Sequence, residues 1–149
     1  MKRLLAVLAI AGPAVALQAF GGDRASPDEA KAMAIRAAAV LAQNGRTVAT
    51  AAFMAPKSEW HDRDLYVFSM DGKAVMTSHG QIAGMVGKDT MDMDDAAGRS
   101  YRHDIVAIKT AGWVDYLFRR AQSDEIEPKS SYCVRALPDD IVCVGAYKP

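Results

Sequence analysis

The sequence lacks an excess of either charge and has no block of one sign. Its 18 lysine and arginine residues balance 18 aspartate and glutamate residues. Nucleic-acid binding depends on clustered cations, because contacts to phosphates supply most of the affinity. We therefore expect no nucleic-acid partner. The basic doublet Arg119-Arg120 is too small to change this expectation, and we interpret it as a solvated turn that follows a strand.

Histidine and cysteine are also scarce. His61, His79 and His103 are far apart in the sequence, and the two cysteines have no second pair with zinc-ligand spacing. The acidic stretch DTMDMDD does not match a calcium loop, because counting from Asp92 gives alanine at the sixth position and histidine at the twelfth. We expect neither a metal nor a cofactor.

Signatures of hydrolytic catalysis are missing as well. The sequence contains no G-x-S-x-G nucleophile elbow, and its spacing places no pair of carboxylates together. An enzyme acting on a small acid would need a general base that this pattern does not supply. We therefore expect a protein without catalytic activity.

Long apolar runs are confined to the first residues. The opening MKRLLAVLAIAGPAVALQAFGG combines two cations, an apolar stretch and small residues at Ala14 and Ala16, which is typical of a secretory signal peptide. We assign residues 1–19 to this peptide, with cleavage near residues 16–19, and residues 20–149 to one domain of roughly 130 residues. A buried core helix is the alternative for the first segment. The signal peptide predicts a periplasmic or secreted protein, and nothing later in the sequence could span a membrane.

One long helix is predicted near the start of the mature domain. Ser26 is placed to cap it, Pro27 fits the first helical position and Glu29 completes a capping box. Helix formers follow until Asn44-Gly45, where the helix should end. A second helical piece is predicted for residues 47–54. The alanine content of both pieces indicates close packing against a flat surface.

The rest of the chain follows period two and predicts five antiparallel strands. The runs DLYVFSM and KAVMTSH flank Asp71-Gly72, which we interpret as a two-residue hairpin turn. WVDYLFR and the two apolar runs of residues 126–148 supply the other three strands.

An insertion separates the second predicted strand from the third. Residues 80–98 are irregular, and a helical pattern follows over residues 99–112, with Tyr101, Ile105 and Ile108 on one face. The fold class is therefore α+β: a five-stranded antiparallel sheet, a long N-terminal helix, and a helix and loop insertion that covers one sheet face.

The closing hairpin IEPKSSYCVRALPDDIVCVGAYK holds both cysteines. Cys133 and Cys143 lie symmetrically about Pro138, so the register that pairs them also pairs Arg135 with Ile141. Directly opposed strand residues have α-carbons about 4.5–5.5 Å apart, within reach of a disulfide. We predict a disulfide here, and two buried free thiols are the alternative.

The ordered series DLYVFSMDGKAVMTSHG, GMVGKD, GWVDYLF, EPKSSY and VGAYK resembles the single Cache domain family. The resemblance covers the chain from Ser26 to its end. It implies a PAS-like sheet and an extracytoplasmic domain that binds small organic acids or amino acids between the sheet and the overlying loop. Such domains usually lie outside a transmembrane chemoreceptor or kinase. The chain departs from the family at His79-Gly80, where the family typically has His-Pro.

The first run of the closing hairpin opens on polar residues, where a core strand would carry valine or isoleucine. Lys129 supplies a cation beside the covering loop, and the hydroxyls of Ser130 and Ser131 add donors that leave space. The resemblance favours Lys129 as the residue that binds a ligand carboxylate. The alternative is a lysine that extends from the sheet edge into solvent, as most lysines do.

Further side chains complete the predicted site. His79 either donates a hydrogen bond to a ligand oxygen or lies at the surface, and Tyr132 is either a ligand contact or a core residue. Period two gives two aromatic pairs, of which we expect one to line the pocket, with Trp113 elsewhere in the core. The predicted ligand-binding residues are Lys129, His79, Tyr132 and the pairs Tyr66/Phe68 and Tyr116/Phe118.

These residues and the resemblance predict extracytoplasmic binding of a small organic acid, of the acetate, propionate, pyruvate or lactate type, without catalysis. Binding would be relayed to a separate signalling partner, and pairing into a homodimer is left open. The competing hypothesis is a structural or protein-interaction module whose pocket is filled by its own side chains.

Overall fold

The computed structural model describes residues 22–149, which form an antiparallel sheet with helices on one face and an insertion on the other. The predicted signal peptide, residues 1–19, lies outside the described residues. Between residues 22 and 149, no helix is long and apolar enough to cross a membrane.

The helices are α1 (Pro27–Asn44), α2 (Arg46–Met54) and α3 (Tyr101–Val106), and a 3₁₀ turn covers Ala83–Met85. The strands are β1 (His61–Asp62), β2 (Leu65–Met70), β3 (Met76–His79), β4 (Ala111–Arg120), β5 (Glu125–Leu137) and β6 (Asp140–Tyr147). The first two predicted helices are confirmed. The third pattern yields a helix of only 6 residues.

Helix α1 begins at the predicted capping box. The Ser26 hydroxyl accepts a hydrogen bond from the Glu29 N–H at 3.2 Å, and the Glu29 carboxylate accepts one from the Ser26 N–H at 2.7 Å. The helix ends before Gly45, whose φ of 81° lies in the left-handed region that favours glycine. Small buried side chains let α1 lie close to the sheet: Ala30, Ala34, Ala37 and Ala38.

The strand order is β1-β2-β6-β5-β4, and β3 also pairs with β2. All five predicted strands are present, and the two-residue β1 is an additional edge strand. Strand β6, in the middle of the sheet, is buried along its whole length. The sheet therefore separates two cores, and side chains of the central strands alternate between them.

The turn between β2 and β3 is wider than predicted. A two-residue turn would pair Lys73 with Met70, but Met76 takes that position. The Asp71 carboxylate accepts hydrogen bonds from two backbone N–H groups of the loop, at 2.8 and 3.0 Å, and so holds a longer turn. The resulting register places His79 beside the aromatic residues of β2.

The predicted register of the closing hairpin is confirmed. Cys133 lies opposite Cys143, Arg135 lies opposite Ile141, and the two cysteines form a disulfide. The part of the chain that the structure describes has no free cysteine. The disulfide lies on the sheet face that the insertion covers, in the core that also contains Tyr66 and Phe68.

Candidate functional site

The sheet face opposite α1, called the insertion face below, carries a group of aromatic rings. We define the aromatic cluster as Tyr66, Phe68, His79, Tyr116 and Phe118. The His79 ring centroid lies 5.1 Å from that of Tyr66 and 6.0 Å from those of Phe68 and Phe118. Both predicted aromatic pairs therefore belong to one cluster, although only one pair was expected there.

Lys129 is buried against this cluster and is only 1% exposed. Its ammonium group donates a hydrogen bond to the Tyr66 hydroxyl at 2.8 Å and lies 4.1, 4.8 and 5.2 Å from the ring centroids of Tyr66, Tyr147 and Phe118. Cations over aromatic faces at these distances are stabilised by the ring quadrupole. The alternative of a lysine that extends into solvent is therefore wrong.

Glycine in the neighbouring strand makes room for this lysine. A Cβ atom added to Gly145 would lie 2.4 Å from Cε of Lys129 and would also collide with the Ser131 hydroxyl. That hydroxyl is hydrogen-bonded to Tyr116 at 2.7 Å. Glycine at this position lets the Lys129 and Ser131 side chains pass close to the β6 backbone, and a larger residue would require both of them to shift.

Burial makes the Lys129 side chain easier to deprotonate. It lowers the pKa of this lysine to about 7, because the ammonium group loses its hydration; the charge of Asp64 opposes this effect and that of Arg102 adds to it. Within residues 22–149 no carboxylate forms a salt bridge with Lys129. The lysine is thus a buried cation that lacks a direct counter-ion.

Arg102 is a second buried cation, and the sequence analysis missed it. The side chain is 4% exposed, its Nε donates to the Thr90 hydroxyl at 3.0 Å, and its guanidinium lies 4.2 Å from the Tyr101 ring centroid. Burial lowers the pKa of Arg102 from its usual value. In the described part of the chain its terminal nitrogens have no hydrogen-bond partner and it has no carboxylate partner. The sequence contained a signal for its inward position: Arg102 lies three residues before Ile105, and residues three apart on a helix share a face.

His79 is buried and neutral. Its Nδ1 accepts hydrogen bonds from the backbone N–H groups of Gln81 and Ile82, at 3.3 and 3.0 Å, so a neutral imidazole carries its proton on Nε2. Burial, together with the charges of Lys129 and Arg102, lowers the pKa of His79 to about 3. His79 therefore offers an N–H donor and no positive charge.

The aromatic cluster, Tyr101 and Arg102 enclose a cavity of about 10 Å³. This volume has room for roughly one water molecule. Lys129 does not line the cavity, because it lies behind Tyr66. The side chains that line it are the guanidinium of Arg102, the imidazole of His79 and aromatic rings, an arrangement suited to binding an anion.

Tyr132 and Trp113 lie away from this cavity. Tyr132 is three residues from Lys129, so period two directs it to the face of α1, where it packs against Trp113 and the Lys31 ammonium. The prediction that Tyr132 contacts a ligand in this pocket is therefore wrong. Trp113 is 42% exposed, so its predicted place in the core is wrong as well.

A buried ion network lies beside the site. Arg120 bridges Asp23 and Asp64, with nitrogen to oxygen distances of 2.8 and 3.3 Å. The interpretation of Arg120 as part of a solvated turn is wrong, because Asp64 and the chain before α1 enclose it. Across residues 22–149 no three His, Cys, Asp or Glu side chains converge in a way that could hold a metal ion.

Comparison with known proteins agrees with the fold. The family model described as Single Cache domain 2 matches residues 22–148. No curated protein matches the sequence. A methyl-accepting chemotaxis protein from Vibrio parahaemolyticus RIMD 2210633 is 19% identical with a TM-score of 0.68, over 80% of this chain and 86% of that chain.

Two further solved structures are similar. The periplasmic sensor domain of a chemotaxis protein is 23% identical with a TM-score of 0.64, over 82% of this chain and 90% of that chain. A Cache chemosensory domain described as recognising carboxylic acids is 20% identical with a TM-score of 0.63, over 82% of this chain and 88% of that chain. Identities this low establish a shared fold and not a shared ligand.

The family model covers nearly all of the described residues, and the fold is similar to that of chemotaxis sensor domains. Proteins of this kind are extracytoplasmic, generally non-catalytic sensors that bind small ligands and pass the signal to other proteins. The chain belongs to the single Cache domain family.

Proposed function

We propose that this domain binds the carboxylate of a small organic acid, of the acetate, propionate, pyruvate or lactate type, without catalysing a reaction. The observation that carries the proposal is the pair of buried cations, Arg102 and Lys129, beside one aromatic cavity. Buried charges are normally paired, because removing them from water is costly. An external anion would supply the counter-ion that the described residues do not provide.

Each polar group has a distinct part in this site. Arg102 borders the cavity, and its planar guanidinium suits bidentate recognition of a carboxylate. The Nε2–H of His79 adds a donor. The Tyr66 oxygen accepts from Lys129 and its hydroxyl is also paired with Tyr147, so its hydrogen would have to turn from Tyr147 to reach a ligand oxygen. Lys129 would then act through Tyr66 rather than by direct contact.

The finer statements about location and partners belong to the same proposal. Removal of residues 1–19 as a signal peptide would release the domain, residues 20–149, into the periplasm or the medium. The disulfide Cys133–Cys143 supports an oxidising compartment. A separate signalling protein, or a second copy of the domain, would receive the signal. The similarity to a Cache domain that recognises carboxylic acids supports the ligand class.

One observation favours a second candidate, a structural or interaction module with a filled pocket. The cavity of about 10 Å³ is smaller than acetate. A ligand could enter only if the wall formed by Tyr101, Arg102 and Phe118 moved. In the second candidate this wall stays closed, and the rings of the aromatic cluster serve only as core.

Calorimetric titration of acetate, propionate, pyruvate and lactate separates the two candidates. An acid of about six heavy atoms cannot gain more than roughly 9 kcal/mol, so we expect micromolar or weaker dissociation constants. Arg102→Met should weaken the best acid by roughly tenfold to a hundredfold, because a charge-assisted hydrogen bond is lost. Arg99→Met, which removes an exposed arginine of the same segment, is the matched control. Absence of binding by a folded wild-type protein would favour the filled module.

A further inference from the structure

An apolar groove lies on the outer side of the cavity. It has a volume of about 290 Å³, and its apolar lining comes from Ile82, Met85, Met93, Leu117 and Ile126. Three of these side chains are 39% to 47% exposed, namely Ile82, Met93 and Ile126. Clustered exposed apolar side chains commonly mark a ligand groove or an interaction surface.

The groove and the cavity share one wall. Tyr101, Arg102 and Phe118 line both of them. Arg102 therefore faces the aromatic cavity on one side and the apolar groove on the other. The residue as a whole is 4% exposed. Its terminal nitrogens have no partner within residues 22–149 and are the part of the side chain that reaches solvent.

The other polar groups at the groove are already paired. Asp95 accepts hydrogen bonds from three backbone N–H groups, at 2.8 to 3.0 Å. Asp94 accepts one from the Ser100 hydroxyl, and Arg119 is paired with Asp124 at 2.8 Å. The groove thus combines apolar sides with Arg102, a cation that has no carboxylate partner within residues 22–149, and with two carboxylates that already accept hydrogen bonds. These features fit a molecule that has one carboxylate and an apolar tail.

We propose that the site accepts monocarboxylic acids with four to eight carbon atoms, with the carboxylate at Arg102 and the alkyl tail in the groove of Ile82, Met93 and Ile126. This inference rests on the proposed function and extends its ligand class from the shortest acids to medium-chain acids. A slender alkyl chain fits this groove better than a flat protein surface, because the groove is a concave space of about 290 Å³ whose lining includes Arg102.

A chain-length series tests the inference. Saturated acids from acetate to octanoate are titrated into the wild-type protein by calorimetry. Burial of one methylene contributes about 0.8 kcal/mol, or about fourfold in affinity, and an open groove should give about twofold to fourfold per methylene from butyrate to octanoate. Equal affinity for acetate and octanoate would overturn the groove but leave the proposed function standing. Failure of every acid to bind would overturn both.

A matched pair of variants locates the tail. Ile126→Ser should weaken octanoate binding several-fold and leave acetate binding unchanged, since it removes apolar surface only from the groove. Ile35→Ser is the control, because Ile35 is exposed to a similar degree, 50%, on α1 at the other face of the sheet. Equal effects of the two substitutions on octanoate binding would contradict the placement of the tail. Arg102→Met should weaken acetate and octanoate alike.

Discussion

On the face of α1, the sheet buries leucine, valine, alanine and phenylalanine side chains that have no polar groups, such as Leu41, Phe53 and Val144. On the insertion face it buries tyrosines, a histidine and two cations, Lys129 and Arg102, which form no salt bridge within the described chain. A core that served only stability would not need these charges. Under the proposed function, the helix face mainly holds the fold together and the insertion face provides the ligand site. Five substitutions or conditions test this division.

The largest effect is expected on the helix face. Phe53→Ala should lower the free energy of unfolding by about 3–5 kcal/mol, because it leaves a cavity between α2 and Trp60. Chemical denaturation followed by circular dichroism measures the loss. The protein that stays folded should bind propionate as the wild type does. A loss below about 1 kcal/mol would mean that this core contributes little to the free energy of unfolding.

The disulfide should have the next largest effect. Replacing Cys133 and Cys143 together by alanine should cost on the order of 3 kcal/mol by the chain-entropy model, since the bond closes a loop across 10 positions. Unfolding with and without reductant measures the contribution, and mass measurement of exported protein should detect no free thiol. Two free thiols in the exported protein would contradict the bonded hairpin.

Removal of the buried cation Lys129 should weaken ligand binding without lowering stability. Lys129→Met should weaken propionate binding by roughly tenfold to a hundredfold, since the polarised Tyr66 hydroxyl loses its support. Its free energy of unfolding should stay level or rise, because a buried charge without a counter-ion is removed and methionine keeps most of the stem. Thermal unfolding and calorimetry measure the two quantities. Lys148→Met, a change at an exposed lysine, is the control. Unfolding of Lys129→Met would show that this lysine is a structural group.

The smallest effect, taken per unit of pH, is the dependence of stability on pH. The pKa of Lys129 is lowered to about 7 in the folded protein and returns to its ordinary value on unfolding. Between these two values the unfolded chain binds the additional proton, so stability should rise with pH above 7 by at most about 1.4 kcal/mol per unit. Below the folded pKa both states are charged and the dependence vanishes. Denaturation at several pH values measures it, and an identical profile for Lys129→Met would exclude Lys129 as the source.

His79 should make stability depend on pH in the acid range as well. Its pKa is lowered to about 3 in the folded protein, so below its ordinary value the unfolded chain binds the proton first. Stability should therefore fall as the pH drops from about 6.5 toward 3, and His79→Gln should reduce the slope. An unchanged slope in this variant would place the acid sensitivity in the carboxylates.

Local signals in the sequence were sufficient for the helix face. The capping box of Ser26 and Glu29 fixes the start of α1, and the spacing of the cysteines fixes the β5–β6 register. The β2–β3 turn was predicted wrongly, because the Asp71 carboxylate satisfies the amides of a longer loop. Such competition between side chain and backbone is not visible in a Gly-containing turn signal.

The candidate site was predictable only in part. Period two placed the aromatic pairs and Lys129 on shared faces, and the same rule would have excluded Tyr132, which is an odd number of positions from Lys129. Arg102 was overlooked because α3 is short and lies in an irregular insertion, whose path depends on tertiary contacts such as the bond from Thr90 to Ala74. The sheet face that a strand residue occupies follows from whether its position is odd or even, whereas the path of a covering loop follows from no such rule.

The measurement that tests the central claim most directly is calorimetry of propionate binding at pH 8 in two buffers with different heats of ionisation. With a folded pKa of about 7, Lys129 is mostly neutral at this pH, and a bound carboxylate should restore its charge. The account predicts saturable binding with net proton uptake, and Lys129→Met should reduce this uptake. Absence of saturable binding, or equal proton uptake in the variant, would contradict the claim that the buried cations form a carboxylate site.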